Sequence, residues 1–266
     1  MLPRNLNVTL IESDTVWGDK QANLDWLAQQ FSNLPAGTDL VVLPEMFSTG
    51  FITDDRERAS QLAERNTGDT MNLLHGFANE RHVAICGSFL ANTATQLYNR
   101  AFFIEPNGDD TFYDKRHLFA FGGENKIYHA SRQTAPIIRF RGINIKLIVC
   151  YDLRFPVFCR NVRNNYDLLV VVANWPKARR HAWETLLMAR ALENECYVCG
   201  VNRCGISPDG VDYDLGSSVM VDFKGRVIAR REAGSPFACA TVSPEQLSRF
   251  REKFPAWRDA DTFTLQ

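Results

Sequence analysis

The stretch Leu147-Ile148-Val149-Cys150-Tyr151-Asp152-Leu153-Arg154-Phe155-Pro156 is where the chain changes character. Apolar residues lead without a break into Cys150. A turn carrying Asp152 and Arg154 then reaches Pro156, a residue suited to the first turn of a helix. An unbroken apolar run reads as a strand buried on both faces. A cysteine that ends such a strand, followed at once by a tight turn, stands at the sheet edge with the Tyr151 N–H aimed at whatever the sulfur holds. The serine nucleophile elbow follows the same logic on another fold. The plainer alternative is one more buried cysteine, and the polar Asp152 and Arg154 directly behind it weigh against that.

On either side, apolar runs alternate with helical patterns. Upstream, residues 7–11, 40–43, 83–90, 97–104 and 112–115 read as strands. Residues 20–31 and 70–81 read as amphipathic helices, the first with Leu24, Leu27 and Phe31 on its inner face, the second with Leu73, Leu74 and Phe77. Downstream, residues 137–140 and 143–149 read as a hairpin across Arg141-Gly142, and 217–222 with 226–230 as another around Phe223-Lys224-Gly225. Between them, 168–173 and 197–202 are strands, while 182–195 and 244–253 are helices. Fully apolar strands mixed with half-polar ones, with helices between, predict an α/β fold of two sheets packed together and covered outside by helices. No repeat or linker divides residues 1–266, which predicts a single domain. Its aromatic tail, about 254–266 with Phe254, Trp257 and Phe263, is expected to dock on a partner subunit.

With 45% hydrophobic residues the chain has ample material for such a core, and a formal net charge of −1 builds no cationic face for nucleic acid or anionic lipid. The N-terminus lacks a secretory pattern, and no apolar run approaches the roughly 20 residues that span a bilayer, so a cytoplasmic location is expected. Seven cysteines, an odd number, argue against a disulfide framework. Cys196 and Cys199 lie in an apolar run and read as buried structural thiols, not a zinc or redox pair.

Two other strand ends break the local pattern. Glu45 follows Val41-Val42-Leu43-Pro44, and Lys115 stands in Tyr113-Asp114-Lys115-Arg116-His117-Leu118-Phe119. Taken alone, each has an ordinary reading, as a loop cap and as a solvated strand boundary. A free thiol titrates near about 8.5 and needs a base or a cation to attack at neutral pH. His117 is the one histidine of five beside another candidate residue, so a Cys–His dyad stays open next to Glu45 as base with Lys115 as cation.

Together these segments resemble the nitrilase superfamily of carbon–nitrogen hydrolases over essentially the whole chain. The matching residues are Glu45 in Leu-Pro-Glu-Met-Phe, Lys115 in Asp-Lys-Arg-His-Leu-Phe and Cys150 in Val-Cys-Tyr-Asp-Leu-Arg-Phe-Pro. Ala173-Asn174-Trp175-Pro176 and the Ala189-Arg190-Ala191-Leu192-Glu193-Asn194 helix follow in the same order. The Cys-Tyr-Asp-x-Arg-Phe-Pro form is similar to the omega-amidase branch. The resemblance implies a four-layer α-β-β-α sandwich that pairs into a homodimer. It implies a Glu45–Lys115–Cys150 triad working through a thioester, supported by Glu124 and Tyr151, with no metal or organic cofactor. It also implies a small amide substrate, a short dicarboxylate monoamide such as 2-oxoglutaramate or 2-oxosuccinamate. For its far carboxylate Arg154 and Arg179 are candidates, with Lys177 and Arg180 behind them. Phe47, Phe51, Tyr151, Asn174 and Trp175 are expected to shape a narrow pocket. The rival readings are a hydrolase of N-carbamoyl amino acids or other small aliphatic amides, and an inert binding scaffold that would have lost a triad member. Lys115→Ala is expected to fold normally and to be almost inactive.

Overall fold

Leu40, Val41 and Val42 are fully buried, with Leu40 and Val42 in one apolar cluster and Val41 in another. An apolar strand achieves this only inside a sheet covered on both faces. In the computed structural model, which describes residues 4–232, 234–261 and 263–264, this strand lies within a six-stranded mixed sheet. There β1 (Leu6–Ile11), β2 (Leu40–Val42) and β3 (Ala84–Asn92) run parallel, and β4 (Leu97–Ile104) and β5 (Asp110–Asp114) follow antiparallel. A second six-stranded sheet repeats the plan. β6 (Ile137–Phe140) forms a hairpin with β7 (Ile143–Val149), which runs parallel to β8 (Leu168–Ala173) and β9 (Tyr197–Asn202). A separate small hairpin, β10 (Gly205–Ile206) and β11 (Asp212–Tyr213), precedes β12 (Val219–Val221) and β13 (Val227–Arg230), which complete the second sheet. β14 (Phe237–Val242) returns to the first sheet and pairs with β1.

Helix α1 (Lys20–Ser32) and, after the short α2 (Arg56–Leu62), helix α3 (Asp69–Arg81) cover the outer face of the first sheet. Their Leu24, Leu27, Phe31, Met71, Leu74 and Ala78 pack on Val41, Ile85, Phe89 and Phe102. Leu73 and Phe77, expected inside, are half-buried at the rim, with Phe77 stacked on Phe31 at 4.5 Å. Met71 and Ala78 take the inward positions because the helix starts at Asp69 and its buried stripe falls on 71, 74 and 78. The short α4 (Glu124–Ile127) and α5 (Pro156–Cys159) follow the Lys115 and Cys150 turns. On the far side, α6 (Arg180–Asn194) packs Trp183, Leu187 and Ala191 on the second sheet, and α7 (Pro244–Lys253) adds Leu247. A Cβ on Gly200 of β9 would come within 2.5 Å of Leu187, so glycine lets α6 approach closely. One apolar cluster joins the sheets, and Phe103 of β4 meets Phe140 of β6 at 5.7 Å. The layers are therefore α-β-β-α, the expected fold.

Cys196 and Cys199 are buried free thiols, and no group of residues suited to a metal occurs among the described residues. Among those residues no helix is long and apolar enough to cross a membrane. Ala256–Asp259 forms a single turn, and half-buried Trp257 shares a shallow hollow with Asn164, Leu247 and Arg251 of its own chain. Phe254 and Phe263 stay exposed, and Thr262, Leu265 and Gln266 lie outside the described residues.

Strands of both sheets end on the candidate residues. Glu45 follows β2, Cys150 follows β7, Asn174 follows β8, and Lys115 follows β5. Strand ends are where α/β sheets place ligands.

Candidate active site

The chain turns sharply at two of these ends. Met46, directly after Glu45, has φ 51°, and Cys150 itself has φ 44°. A non-glycine residue in the left-handed region costs about 1–2 kcal/mol. At Cys150 the turn is held by Asp152, which is fully buried. Its carboxylate accepts from Val149 N at 3.1 Å, Tyr113 Oη at 2.9 Å, His117 N at 3.1 Å and His117 Nδ1 at 2.7 Å. A carboxylate ringed by donors can only accept, so the His117 proton sits on Nδ1. One side chain thus ties the cysteine turn to the lysine turn. His117 also stacks on Phe155 at 3.8 Å. Its imidazole is therefore engaged as a strut, while the Cys150 thiol points to the Asn174 carbonyl at 4.0 Å. Asp152→Asn would turn an N–H2 toward groups that are themselves donors. Displacing the two turns by about 1 Å can cost roughly 100-fold, so this variant should lose about that much kcat/KM and should melt earlier than wild type.

Lys115 is 1% exposed. Its Nζ donates to Glu45 Oε1 at 2.8 Å and to Glu124 Oε1 and Oε2 at 3.0 Å each. Burial opposes charge on Lys115, yet Glu124 and Glu45, with Cys150 adding, hold it well above the usual lysine range. Burial pushes the Glu124 carboxyl up, and Lys115 opposes that rise. Both Glu124 oxygens accept N–H bonds, Oε1 from Asn99 and Lys115 and Oε2 from Phe119 N and Lys115, so the geometry fits a carboxylate. Glu45 Oε2 accepts from Asn174 N at 2.7 Å, and the Asn174 side chain donates to the Glu45 carbonyl at 3.0 Å. Burial pushes the Cys150 thiol well up, Glu45 adds to this, and Lys115 pulls it down. A sulfur held as the thiol needs a base at the moment of attack.

Against the sulfur lies a cavity of about 30 Å³, walled by Phe119, Tyr151, Arg154, Asn174, Trp175 and Arg179. A larger hollow of about 700 Å³ shares Phe119, Asn174 and Arg179 with it and is also lined by Phe51. Arg154 lies over the Trp175 ring at 4.9 Å and Arg179 over Phe119 at 5.3 Å. Neither arginine has an acidic partner among the described residues. Lys177 and Arg180 differ, for Lys177 pairs with Asp212 at 2.9 Å and Arg180 with Asp214 and Glu184. Phe47 is not in this pocket. The left-handed turn at Met46 sends it into the α-helical side of the first sheet, edge-on to Phe102 at 6.1 Å.

The sequence also matches the carbon–nitrogen hydrolase family over residues 7–252. The chain is a carbon–nitrogen hydrolase. It is 42% identical over 261 residues to the omega-amidase YafV of Escherichia coli, spanning 98% of each chain. It is 27% identical to the 2-oxoglutaramate amidase of Bacillus subtilis, over 95% of this chain and 96% of that one. Its fold matches that of a CN-hydrolase superfamily protein of Xanthomonas campestris, whose crystal structure carries an arsenic adduct in the active site. The TM-score is 0.93 at 38% identity, covering 99% of this chain and 100% of that one.

One residue at the centre of this candidate site was not marked by the sequence motifs. Asn99 of β4 is fully buried and touches both glutamates. A signal was present, because Leu97, Asn99, Ala101 and Phe103 alternate toward the interior and one of the four is an amide. A polar side chain in the buried phase of a strand needs partners, which marks it for attention.

Proposed function

We propose that this hydrolase is an omega-amidase that cleaves the terminal amide of short dicarboxylate monoamides, 2-oxoglutaramate and 2-oxosuccinamate, through a thioester on Cys150. The observation that carries the reading is the pair Arg154 and Arg179, set on the walls of the cavity at the sulfur and free of acidic partners among the described residues. A guanidinium so disposed is ready for a substrate carboxylate. The names of the Escherichia coli and Bacillus subtilis relatives support the same substrate class.

In this mechanism the Cys150 proton passes to Glu45 Oε2, which takes a single N–H in the structure, from Asn174. The sulfur bonds to the amide carbon, and the carbonyl electrons move onto oxygen. The positive charge of Lys115, and the Tyr151 N–H, stabilise that oxyanion. The carbon–nitrogen bond then breaks, and ammonia leaves with the proton from Glu45. Water attacks the thioester, giving a proton back through Glu45 and releasing the acid and the free thiol. The 30 Å³ cavity takes the reacting carboxamide, and the adjoining hollow takes the rest of the chain.

Ammonia release from 2-oxoglutaramate, from an uncharged amide of equal length and from an N-carbamoyl amino acid tests the reading. Arg154→Ala should raise KM for 2-oxoglutaramate about 10- to 100-fold, the weight of one bond to a charged group, and leave KM for the uncharged amide unchanged. Preference for the N-carbamoyl substrate would reject the assignment.

A further inference from the structure

We infer that Asn99 is a positioning residue of this reaction, closing a hydrogen-bonded ring that holds two buried carboxylates ionised side by side so that Glu45 can receive the Cys150 proton. The inference rests on the cysteine mechanism proposed above and adds a residue that mechanism does not use.

The ring has four corners, alternating acceptor and donor. Lys115 Nζ meets Glu45 Oε1 at 2.8 Å, and Glu45 Oε1 meets Asn99 Nδ2 at 2.7 Å. Asn99 Nδ2 meets Glu124 Oε1 at 3.1 Å, which returns to Lys115 Nζ at 3.0 Å. The Asn99 amide supplies one hydrogen to each carboxylate. Its orientation is fixed from behind, since Ser88 Oγ donates to Asn99 Oδ1 at 2.9 Å and itself accepts from Met46 N at 3.0 Å. A flipped amide would aim its carbonyl oxygen at two carboxylates and its N–H2 at a hydroxyl that is already committed. The chain of bonds therefore runs from the backbone beside Glu45, through Ser88 and Asn99, back to the Glu45 side chain.

Charge explains why this matters. Glu45 and Glu124 share one ammonium, and all three groups are at most 1% exposed. Two carboxylates on one buried site tend to keep a proton between them. A carboxyl already protonated has no room for the thiol hydrogen. Lys115 alone offers each Oε1 one donor, and Asn99 adds a second without adding charge. The other titratable groups that feel this pair are Cys150, Tyr128 and Tyr213. Burial first, with the two glutamates adding, pushes Tyr128 up, and burial pushes Tyr213 up to about 12. Both phenols stay protonated through the working range and do not compete for the proton.

The test is the pH profile of kcat/KM for 2-oxoglutaramate in Asn99→Ala and Ser88→Ala, beside wild type and Cys150→Ala. Losing a donor to both carboxylates favours their protonated form, so the acid limb of Asn99→Ala should move up by about one pH unit or more. That is a roughly tenfold loss on the acid side that closes as pH rises. Ser88→Ala removes only a hydroxyl and should move the limb the same way by less. It decides the matter if Asn99→Ala does not fold. A role in shape alone scales the rate equally at every pH, and that result would overturn the inference. If Cys150→Ala keeps turnover, the cysteine mechanism itself has failed. If Cys150→Ala is dead and neither limb moves, Asn99 alone has been misassigned.

Discussion

Cys150→Ala is expected to lower kcat/KM for ammonia release from 2-oxoglutaramate by at least about three orders of magnitude, as loss of a nucleophile does when its partners act as a unit, with a melting temperature close to wild type. The two halves of this expectation have separate causes. Chemically, in the proposed mechanism the sulfur is the atom that bonds to carbon, and neither Glu45 nor Lys115 could replace it. Structurally, the thiol makes one weak hydrogen bond among the described residues, 4.0 Å to the Asn174 carbonyl, and Cys150 sits at the margin of the main apolar cluster, partly buried. Alanine meets the same backbone strain at φ 44° that cysteine does, so that cost does not change. The Asp152 bonds that hold the turn all go to residues other than the Cys150 side chain. Steady-state kinetics and a thermal melt check both halves. Mass spectrometry of wild type quenched during turnover should show the acyl adduct, which the variant cannot form. Wild-type turnover by Cys150→Ala would end the covalent mechanism.

Lys115→Ala should lose a comparable amount of activity and should also be much less stable. Here the structure revises the expectation of normal folding that the strand-end position suggested. Lys115 is not a solvated boundary residue but, among the described residues, the sole side-chain cation bonded to two buried carboxylates. Removing one partner of a buried ion cluster typically costs about 3–5 kcal/mol, because the charges left behind have neither water nor counter-ion. The double variant Lys115→Ala/Glu124→Gln removes one of the stranded charges. It should recover a large part of the lost stability and none of the activity. Denaturant titration of the three proteins measures this. A Lys115→Ala protein as stable as wild type would mean that the two glutamates shed their charge without cost.

The fold and two of the three groups proposed to react, Glu45 and Cys150, were legible for a common reason. An unbroken apolar run must be buried on both faces, so β2, β8, most of β9 and the Leu147–Val149 end of β7 could be read from the sequence alone. A charged or thiol residue directly after such a run is conspicuous, as Glu45 and Cys150 are. β14 was not legible because it is an edge strand with a mixed burial pattern, ordered by pairing with β1 more than 200 residues away in the chain. The short α2 has a single buried residue, Ala59, and so no apolar stripe to announce it. Phe47 stands two residues from Glu45, yet the turn at Met46 carries it out of the pocket to the helical side of the first sheet.

The sequence by itself determined which residue types stand at the strand ends, and with them the class of chemistry, since covalent geometry and burial act locally along the chain. Tertiary structure alone decided the partners. It gave His117 to Asp152 and not to the thiol, set Asn99 between two glutamates, and, among the described residues, left Arg154 and Arg179 without acids while Lys177 and Arg180 found them. The reason is distance in the chain. Asn99 reaches Glu45 across 54 residues and Asn174 reaches it across 129, and hydrogen bonds of about 3 Å between such segments exist only once two sheets have packed.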